Sequence, residues 1–460
     1  MGFLDDQRHH DLPTVLSYQA QHRPDRPWIL SGGQAFSYQQ VDALSGRLAQ
    51  GLSRIGLTSG DTVLCMSQNR VEQVFLWCAL SKCGAPLVPV NTHYRGNIFA
   101  YLINDSRAET IAIEPEFLQQ LVDVADDLLH LKRVILIIGE EESTEQVWEQ
   151  VSSRYEVYQY LDLLDETIFE GKPPGYRDLM GVFYTSGTTG PSQGVTMTHA
   201  PAFEYARGVT EMLELRESDV YCSPLPLFHI AGLLATVYAA GIVGASTVIV
   251  GPFSVERFWQ DVEKYHVTTT FLLGAMANFI YKQPLTEQDS DNSLERVLMV
   301  PLIPEVETFK NRFGCRVSTT WGGTEMNCPT QSGFVLADNK TCGRVVEDRY
   351  EVRIVDEFDH EVPDGTPGEA LVRTKVPWIA TNGYWQHPEW TAALLKNQWI
   401  HTGDMLSKDQ HGNLYFVDRT KDAIRRRGEN ISSMEVENEI NAHGDVLECA
   451  VVPVGSTDTE

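Results

Sequence analysis

Residues 62–90 read TVLCMSQNRVEQVFLWCALSKCGAPLVPV. Thr62–Met66 is an apolar run of strand length. Val71–Cys83 is apolar over too many residues for a strand and contains neither Gly nor Pro, so it is expected to be helical. Gly84 closes the helix, and Pro86–Val90 is apolar again, a second strand. A strand, a helix and a strand in succession place the strands parallel, because the crossover returns the chain to the end it started from. Strands this apolar are covered on both faces.

Outward from this unit the same texture continues. Trp28–Leu30, Ser31-Gly32-Gly33 and Ala35–Tyr38 read as a β-hairpin. Val41–Ile55 carries apolar residues at helical spacing and ends at Gly56. Residues 139–176 are rich in Glu and other polar groups and read as a surface connection. Strand–helix alternation resumes after residue 180 and runs to about residue 320. Past 340 come short strands with Gly/Pro/Asp turns, as in VPDGTPGEALVR, which suggest a small barrel. Ile230–Phe253 contains no charged residue and is long enough to span a bilayer. Its first half is Leu/Ala-rich, however, and after Gly241 and Gly244 comes β-branched STVIV. A buried helix, a glycine turn and a buried strand are therefore expected.

Apolar residues make up 42% and charged residues 22% of the 460, ordinary for a globular chain of more than one structural unit. A net charge of −27 sets nucleic acid and anionic lipid aside as partners. An anionic substrate must then be received locally, by backbone amides, a metal or a few cations. The 8 cysteines show no CxxC pair or Cys/His ligand spacing, so zinc is not expected and the thiols read as buried and reduced. MGFLDDQRHHDL has no apolar signal-peptide core, and Asp6 stands where a myristoylation motif needs Ser or Thr. The expected location is cytoplasmic.

YTSGTTGPSQGV, Tyr184–Val195, follows the apolar run Met180–Phe183. Small hydroxyl residues between glycines let a backbone curl until several N–H groups point at one anion. Thr185, Ser186, Thr188 and Thr189 add hydroxyl donors. No GK[ST] follows, so this is not a Walker A loop; the alternative is a plain Ser/Thr/Gly surface turn.

In this loop the sequence resembles the adenylate-forming enzymes: acyl-CoA synthetases, peptide-synthetase adenylation domains and beetle luciferases. The resemblance implies that Thr185, Ser186, Gly187, Thr188, Thr189 and Gly190 hold the pyrophosphate part of ATP. Gln193 departs from the lysine usual there, which should loosen the grip on the β- and γ-phosphates. STTWGGTEMN, Ser318–Asn327, is similar to a second family motif. By that likeness Trp321 and Gly322 flank the adenine, Thr324 holds the α-phosphate and Glu325 binds Mg²⁺, with a plain Gly turn as the alternative. WIHTGDM implies that Asp404 takes both ribose hydroxyls. YFVDRTKDAIRRRGENIS implies Arg419 on the ribose, Lys421 as a hinge, and Gly428–Asn430 shaping a tunnel for CoA. GEALVRT and NGYWQHPE fit the family too and read as structural.

The implied fold is α/β. A large N-terminal domain, 1–419, holds two layered αβ sheets and a small β-barrel; an incomplete α+β C-terminal domain occupies 420–460. LPLFHIAG places His229 where amino-acid-activating relatives carry Asp. A substrate ammonium would lack its partner charge there, so the acyl-CoA ligase branch is favoured, loosely the crotonobetaine/carnitine type, with His229 as a gate. The alternative for His229 is a core histidine bonded to a backbone carbonyl. The acyl pocket is expected from Ala231–Leu234, Phe271–Asn278 and Trp321–Gly323, mainly apolar. LMVPLIPE lacks the family's glycines behind the adenine, so that wall is expected to be rebuilt.

The implied reaction turns a carboxylic acid, ATP and CoA, with Mg²⁺, into an acyl-CoA thioester, AMP and pyrophosphate. Thr185, Glu325 and His229 are expected to carry it. Loading of a carrier protein, or a nucleotide-binding homologue without catalysis, stays open, as does a homodimer. The family's lysine near the end of the C-terminal domain has no counterpart before Glu460, so the native chain is expected to be longer.

Overall fold

The computed structural model describes residues 3–137, 145–185 and 192–419, then 424–426, 429–431 and isolated positions as far as 452. Two seven-stranded sheets organise it. The first runs, in spatial order, Glu156–Gln159, Arg133–Leu136, Thr110–Ile113, Val63–Met66, Leu87–Pro89, Leu179–Thr185 and Gln193–Thr198. The second runs Arg316–Ser318, Arg296–Val300, Thr269–Leu273, Val220–Cys222, Ser246–Val248, Pro27–Ser31 and Gln34–Ser37. In each, all pairs are parallel except the last, an antiparallel hairpin at one edge.

Strand periodicity explains the layering, because successive side chains point to opposite faces. In the first sheet Val63, Cys65, Ala112 and Ile135 join one core, whereas Leu64, Met66, Ile111 and Val134 join another. In the second sheet Tyr221, Phe271 and Leu298 join that same first core, and Leu272, Val297 and Met299 a third. The shared core lies between the sheets and is filled by helices Tyr38–Arg54, Val71–Cys83 and His199–Met212. The layers are thus helix, sheet, helix, sheet, helix.

Helix Val71–Cys83 has the expected bounds, with Gly84 as its C-cap. Helix Tyr38–Arg54 begins three residues before the expected Val41, because Ser37 and Gln40 form a capping box. The uncharged stretch after Ile230 divides as expected. Continuous helix and π-helix run to Val243, Gly244 turns the chain at φ 78°, and Ser246–Val248 is a buried strand. Gly244 sits in the left-handed region that L side chains avoid, which is what ends the helix there. Among the described residues no helix is long and apolar enough to cross a membrane.

The reading of 139–176 as a surface connection needs correction. This stretch contains helix Glu145–Arg154 and the edge strand Glu156–Gln159 of the first sheet. Val151, Tyr160 and Leu163 are fully or almost fully buried. An edge strand keeps one side in water, so its polar composition hid it.

Past 340, the residues expected in the small barrel form a four-stranded antiparallel sheet: Tyr350–Val355, Gly368–Thr374, Ile400–Lys408 and Leu414–Arg419. Arg349 fastens it to the central layer, donating to Glu204 and Glu211 on helix His199–Met212. Glu204 and Arg349 are both buried, so each depends on the other to avoid an unpaired charge in the core.

Candidate active site

A cavity of about 960 Å³ opens where the sheets and the antiparallel sheet meet. Leu273 and Val300 reach it from the C-terminal ends of parallel strands, the crevice where α/β sheets bind ligands. Thr185 and Gln193 reach it from the first sheet; they are register partners, so the chain leaves one strand and re-enters the next at the cavity wall. Ser186, Gly187, Thr188, Thr189 and Gly190 lie outside the described residues, as does Lys421. For Glu429 and Asn430 only the backbone strand is described, and Gly428 is not.

Thr324 and Glu325 sit in a tight turn closed by paired backbone bonds between Gly323 and Asn327, 3.0 and 2.9 Å. Gly322 makes the turn possible: a Cβ there would lie 2.0 Å from the Asn327 carbonyl oxygen. Both Thr324 and Glu325 line the cavity. Tyr384 donates its hydroxyl to Glu325 Oε1 at 3.0 Å. Burial raises the Glu325 pKa; the hydrogen bond from Tyr384 opposes the shift.

Asp404 and Arg419 are cross-strand partners, so sheet register alone brings them together at the cavity. Asp404 Oδ1 is 3.6 Å from Arg419 Nε, and its Oδ2 accepts the Trp321 indole N–H at 2.8 Å. Burial raises the Asp404 pKa, while Trp321 and then Arg419 pull it down. Trp321 itself does not line the cavity. It is buried in the core beside it and meets the site through Asp404.

His229 lines the cavity and caps the helix that begins at Ile230, its Nδ1 accepting the Ala231 N–H at 3.1 Å. A ring nitrogen that accepts cannot carry the second proton, so this bond holds the imidazole neutral. Desolvation lowers its pKa in the same direction. Among the described residues no backbone carbonyl bonds to the ring of this histidine.

Of the expected acyl-pocket residues, Ala231, Phe271, Leu273, Gly322 and Gly323 line the cavity. Leu233 and Leu234 are sealed in the core behind it. Sequence reasoning missed Tyr205, Val209 and Cys328, which also line the cavity and belong to the core between the sheets. It also took NGYWQHPE for structural filling. Tyr384 of that segment holds Glu325, and Tyr384 bridges to Val195 just after the loop. His387 Nε2 lies 2.9 Å from Asp105 Oδ1, whose Oδ2 accepts from Tyr184, the neighbour of Thr185, at 2.7 Å. One carboxylate thus ties the loop's first strand to this segment. The family spacing gave the position of each residue but no sign that they meet.

Residues 16–385 match the family model described as AMP-binding enzyme. The chain belongs to the AMP-binding enzymes. This AMP-binding enzyme is 31% identical over 430 residues to a crotonobetaine/carnitine–CoA ligase of Citrobacter koseri, covering 91% of this chain and 81% of that one. The corresponding ligase of Salmonella typhi is 29% identical over 431 residues, with the same coverage. Among solved structures, an anthranilate CoA ligase in complex with anthranoyl-AMP superposes with a TM-score of 0.86 at 22% identity, over 98% of this chain and 86% of that one. O-succinylbenzoate CoA synthetase from Bacillus subtilis in complex with AMP gives 0.81 at 23%, over 97% and 86%. These two likenesses are of fold.

Proposed function

We propose that this cavity activates a carboxylic acid as its adenylate and passes the acyl group to CoA. The enzyme is an AMP-forming acid–thiol ligase of the acyl-CoA synthetase type. One observation carries the residue assignment: Thr185, His229, Thr324, Glu325, Asp404 and Arg419, drawn from five segments, line one cavity. Its uncharged lining residues Val209, Ala231, Phe271 and Leu298 belong to the core between the sheets, so we assign it a polar and an apolar end.

In this reading Asp404 accepts the ribose hydroxyls, held in place by the Trp321 indole and by Arg419. Thr324 and Thr185 donate to phosphate oxygens. Gln193 contributes a neutral amide where a cation is usual, so the loop residues 186–190 grip phosphate by N–H and hydroxyl donors. His229, fixed as a neutral ring, stands between the polar and apolar ends and admits a carboxylate without pairing to an ammonium. Lys421 is the proposed hinge, with the domain boundary after Arg419, where the last strand of the four-stranded antiparallel sheet ends.

Among the described residues no group of three or more His, Cys, Asp or Glu could hold a metal ion alone. That suits Mg²⁺, which takes one or two carboxylates and completes its shell with phosphate oxygens and water. Glu325 fits as the protein ligand, since a carboxylate has about four acceptor sites and Tyr384 occupies one. Mg²⁺ bound there would neutralise charge on the phosphates. The protein's own share is positioning and fixed hydrogen-bond donors, which is where phosphoryl-group chemistry gains most.

The test is acid-dependent exchange of pyrophosphate into ATP with a panel of carboxylic acids, followed by comparison of CoA with a phosphopantetheinylated carrier protein as acceptor. The expected result is exchange that requires an acid, and thioester formed on CoA. Absence of exchange with every acid would overturn the reading.

A further inference from the structure

The cavity lining contributed by the core between the sheets contains a polar group for which no partner is found among the described residues. Tyr205, on helix His199–Met212, is only 8% exposed and lines the cavity. Among the described residues its hydroxyl has no hydrogen-bond partner. Of the other tyrosines lining the cavity, Tyr184 donates to Asp105 and Tyr384 to Glu325, while Tyr94 is only half-buried. The unpartnered hydroxyl of Tyr238, by contrast, is sealed in the core and does not line this cavity. A hydroxyl on a cavity wall is where a ligand can supply the bond that the protein does not.

The surroundings define what that ligand group can be. Val209, Ala231, Phe271, Leu298 and Cys328 line the same end, and none of them carries a charge. The ionised lining residues, Glu325, Glu369, Asp404 and Arg419, belong to the nucleotide end. Burial raises the Tyr205 pKa well above the ordinary phenol, so the group is a neutral donor and acceptor. A permanently charged head group would find no counter-charge there, and leaving a charge unpaired in apolar surroundings costs far more than leaving a hydroxyl.

Resting on the ligase reading above, we propose that Tyr205 reads the distal end of the acid. The preferred substrate has an apolar body and an uncharged hydroxyl or keto oxygen that meets the Tyr205 hydroxyl while the carboxylate lies beside His229. A site built to bond a substrate oxygen rejects the analogue lacking it far more strongly than a site that only fills space.

The experiment measures kcat/KM for AMP formation with matched acids of increasing chain length, each as the plain acid, its hydroxy or keto derivative, and a trimethylammonium derivative. The wild-type enzyme and Tyr205→Phe are compared by the ratio of derivative to plain acid, which is insensitive to a general loss of activity. The expected result is a ratio of at least tenfold in favour of a hydroxy or keto acid at one chain length, falling at least tenfold in Tyr205→Phe. AMP formation without such a preference, a preference that survives the substitution, or a trimethylammonium acid as the best substrate would each overturn the proposal while leaving the ligase reading intact. No AMP with any acid would overturn the ligase reading and this proposal with it. Should Tyr205→Phe not fold, the wild-type ratio alone decides.

Discussion

The two ends of the cavity are built in opposite ways. At the end proposed to hold nucleotide, side chains are held by specific partners: Asp404 by Trp321 and Arg419, Glu325 by Tyr384. At the end proposed to hold the acid, Val209, Phe271 and Leu298 are held by packing within the core between the sheets. Every substrate of such an enzyme shares ATP, so the first end must be geometrically exact in a way that particular residue types ensure. The second end needs only a volume and a surface character, which many residue combinations supply. Substitutions at the first end should therefore cost catalysis or ATP affinity, and at the second end selectivity.

The largest effect is expected for Glu325→Gln. The variant keeps the shape and the bond from Tyr384 but loses the negative charge. Pyrophosphate exchange should fall at least ~100-fold, as for loss of a preorganised electrostatic group, with the thermal midpoint within a few degrees of the parent. Exchange at the parent rate would remove Glu325 from the metal assignment.

Next comes Asp404→Ala. Loss of hydrogen bonds to a charged acceptor should weaken ATP by about 1.5–3 kcal/mol, measured calorimetrically. An unchanged dissociation constant would place the ribose elsewhere.

Tyr384→Phe sharpens the comparison through pH. Glu325 must be ionised to serve a cation, and burial already sets its pKa above the ordinary carboxylate. A carboxylate that titrates higher loses activity earlier as pH falls. Removing the Tyr384 donor destabilises the ionised form further, so the acid limb of kcat/KM should move to higher pH while the alkaline side stays in place. An acid limb that stays put would mean Tyr384 does not bear on Glu325.

The smallest effect is expected for Gln193→Lys. Restoring the cation at a half-exposed position should tighten ATP by about 1 kcal/mol or less. Weaker binding would show that the loop has adapted to a neutral residue.

This contrast also explains how far the sequence could be read. That Glu325, Asp404 and Arg419 belong to one site was legible because each lies in a contiguous motif that resembles the family's, and all three line the cavity. Helix Val71–Cys83 was legible to the residue because its apolar run ends at a glycine. Tyr384 was quoted but misjudged, since its partner Glu325 lies 59 residues away and only the fold joins them. Tyr205 and Val209 were missed for a related reason. On a helix buried all round, as His199–Met212 nearly is, no periodic pattern separates the face on the cavity from the face on the core. The strand Glu156–Gln159 was hidden by the polarity that an edge tolerates.

The central claim is that one cavity holds nucleotide at its polar end and acid at its apolar end, with the two ends separable. It is tested most directly by measuring ATP dissociation constants and acid-dependent pyrophosphate exchange in parallel for Asp404→Ala and Val209→Phe. Val209 lines the apolar end, so the added ring should fill space meant for the acid. The expected result for Val209→Phe is an ATP constant within about twofold of the parent and exchange reduced at least ~10-fold, the scale of a filled hydrophobic pocket. Asp404→Ala should weaken ATP and leave the order of preference among acids unchanged. If Val209→Phe instead loses ATP binding, or if Asp404→Ala reorders the acids while binding ATP normally, the division of the cavity is wrong.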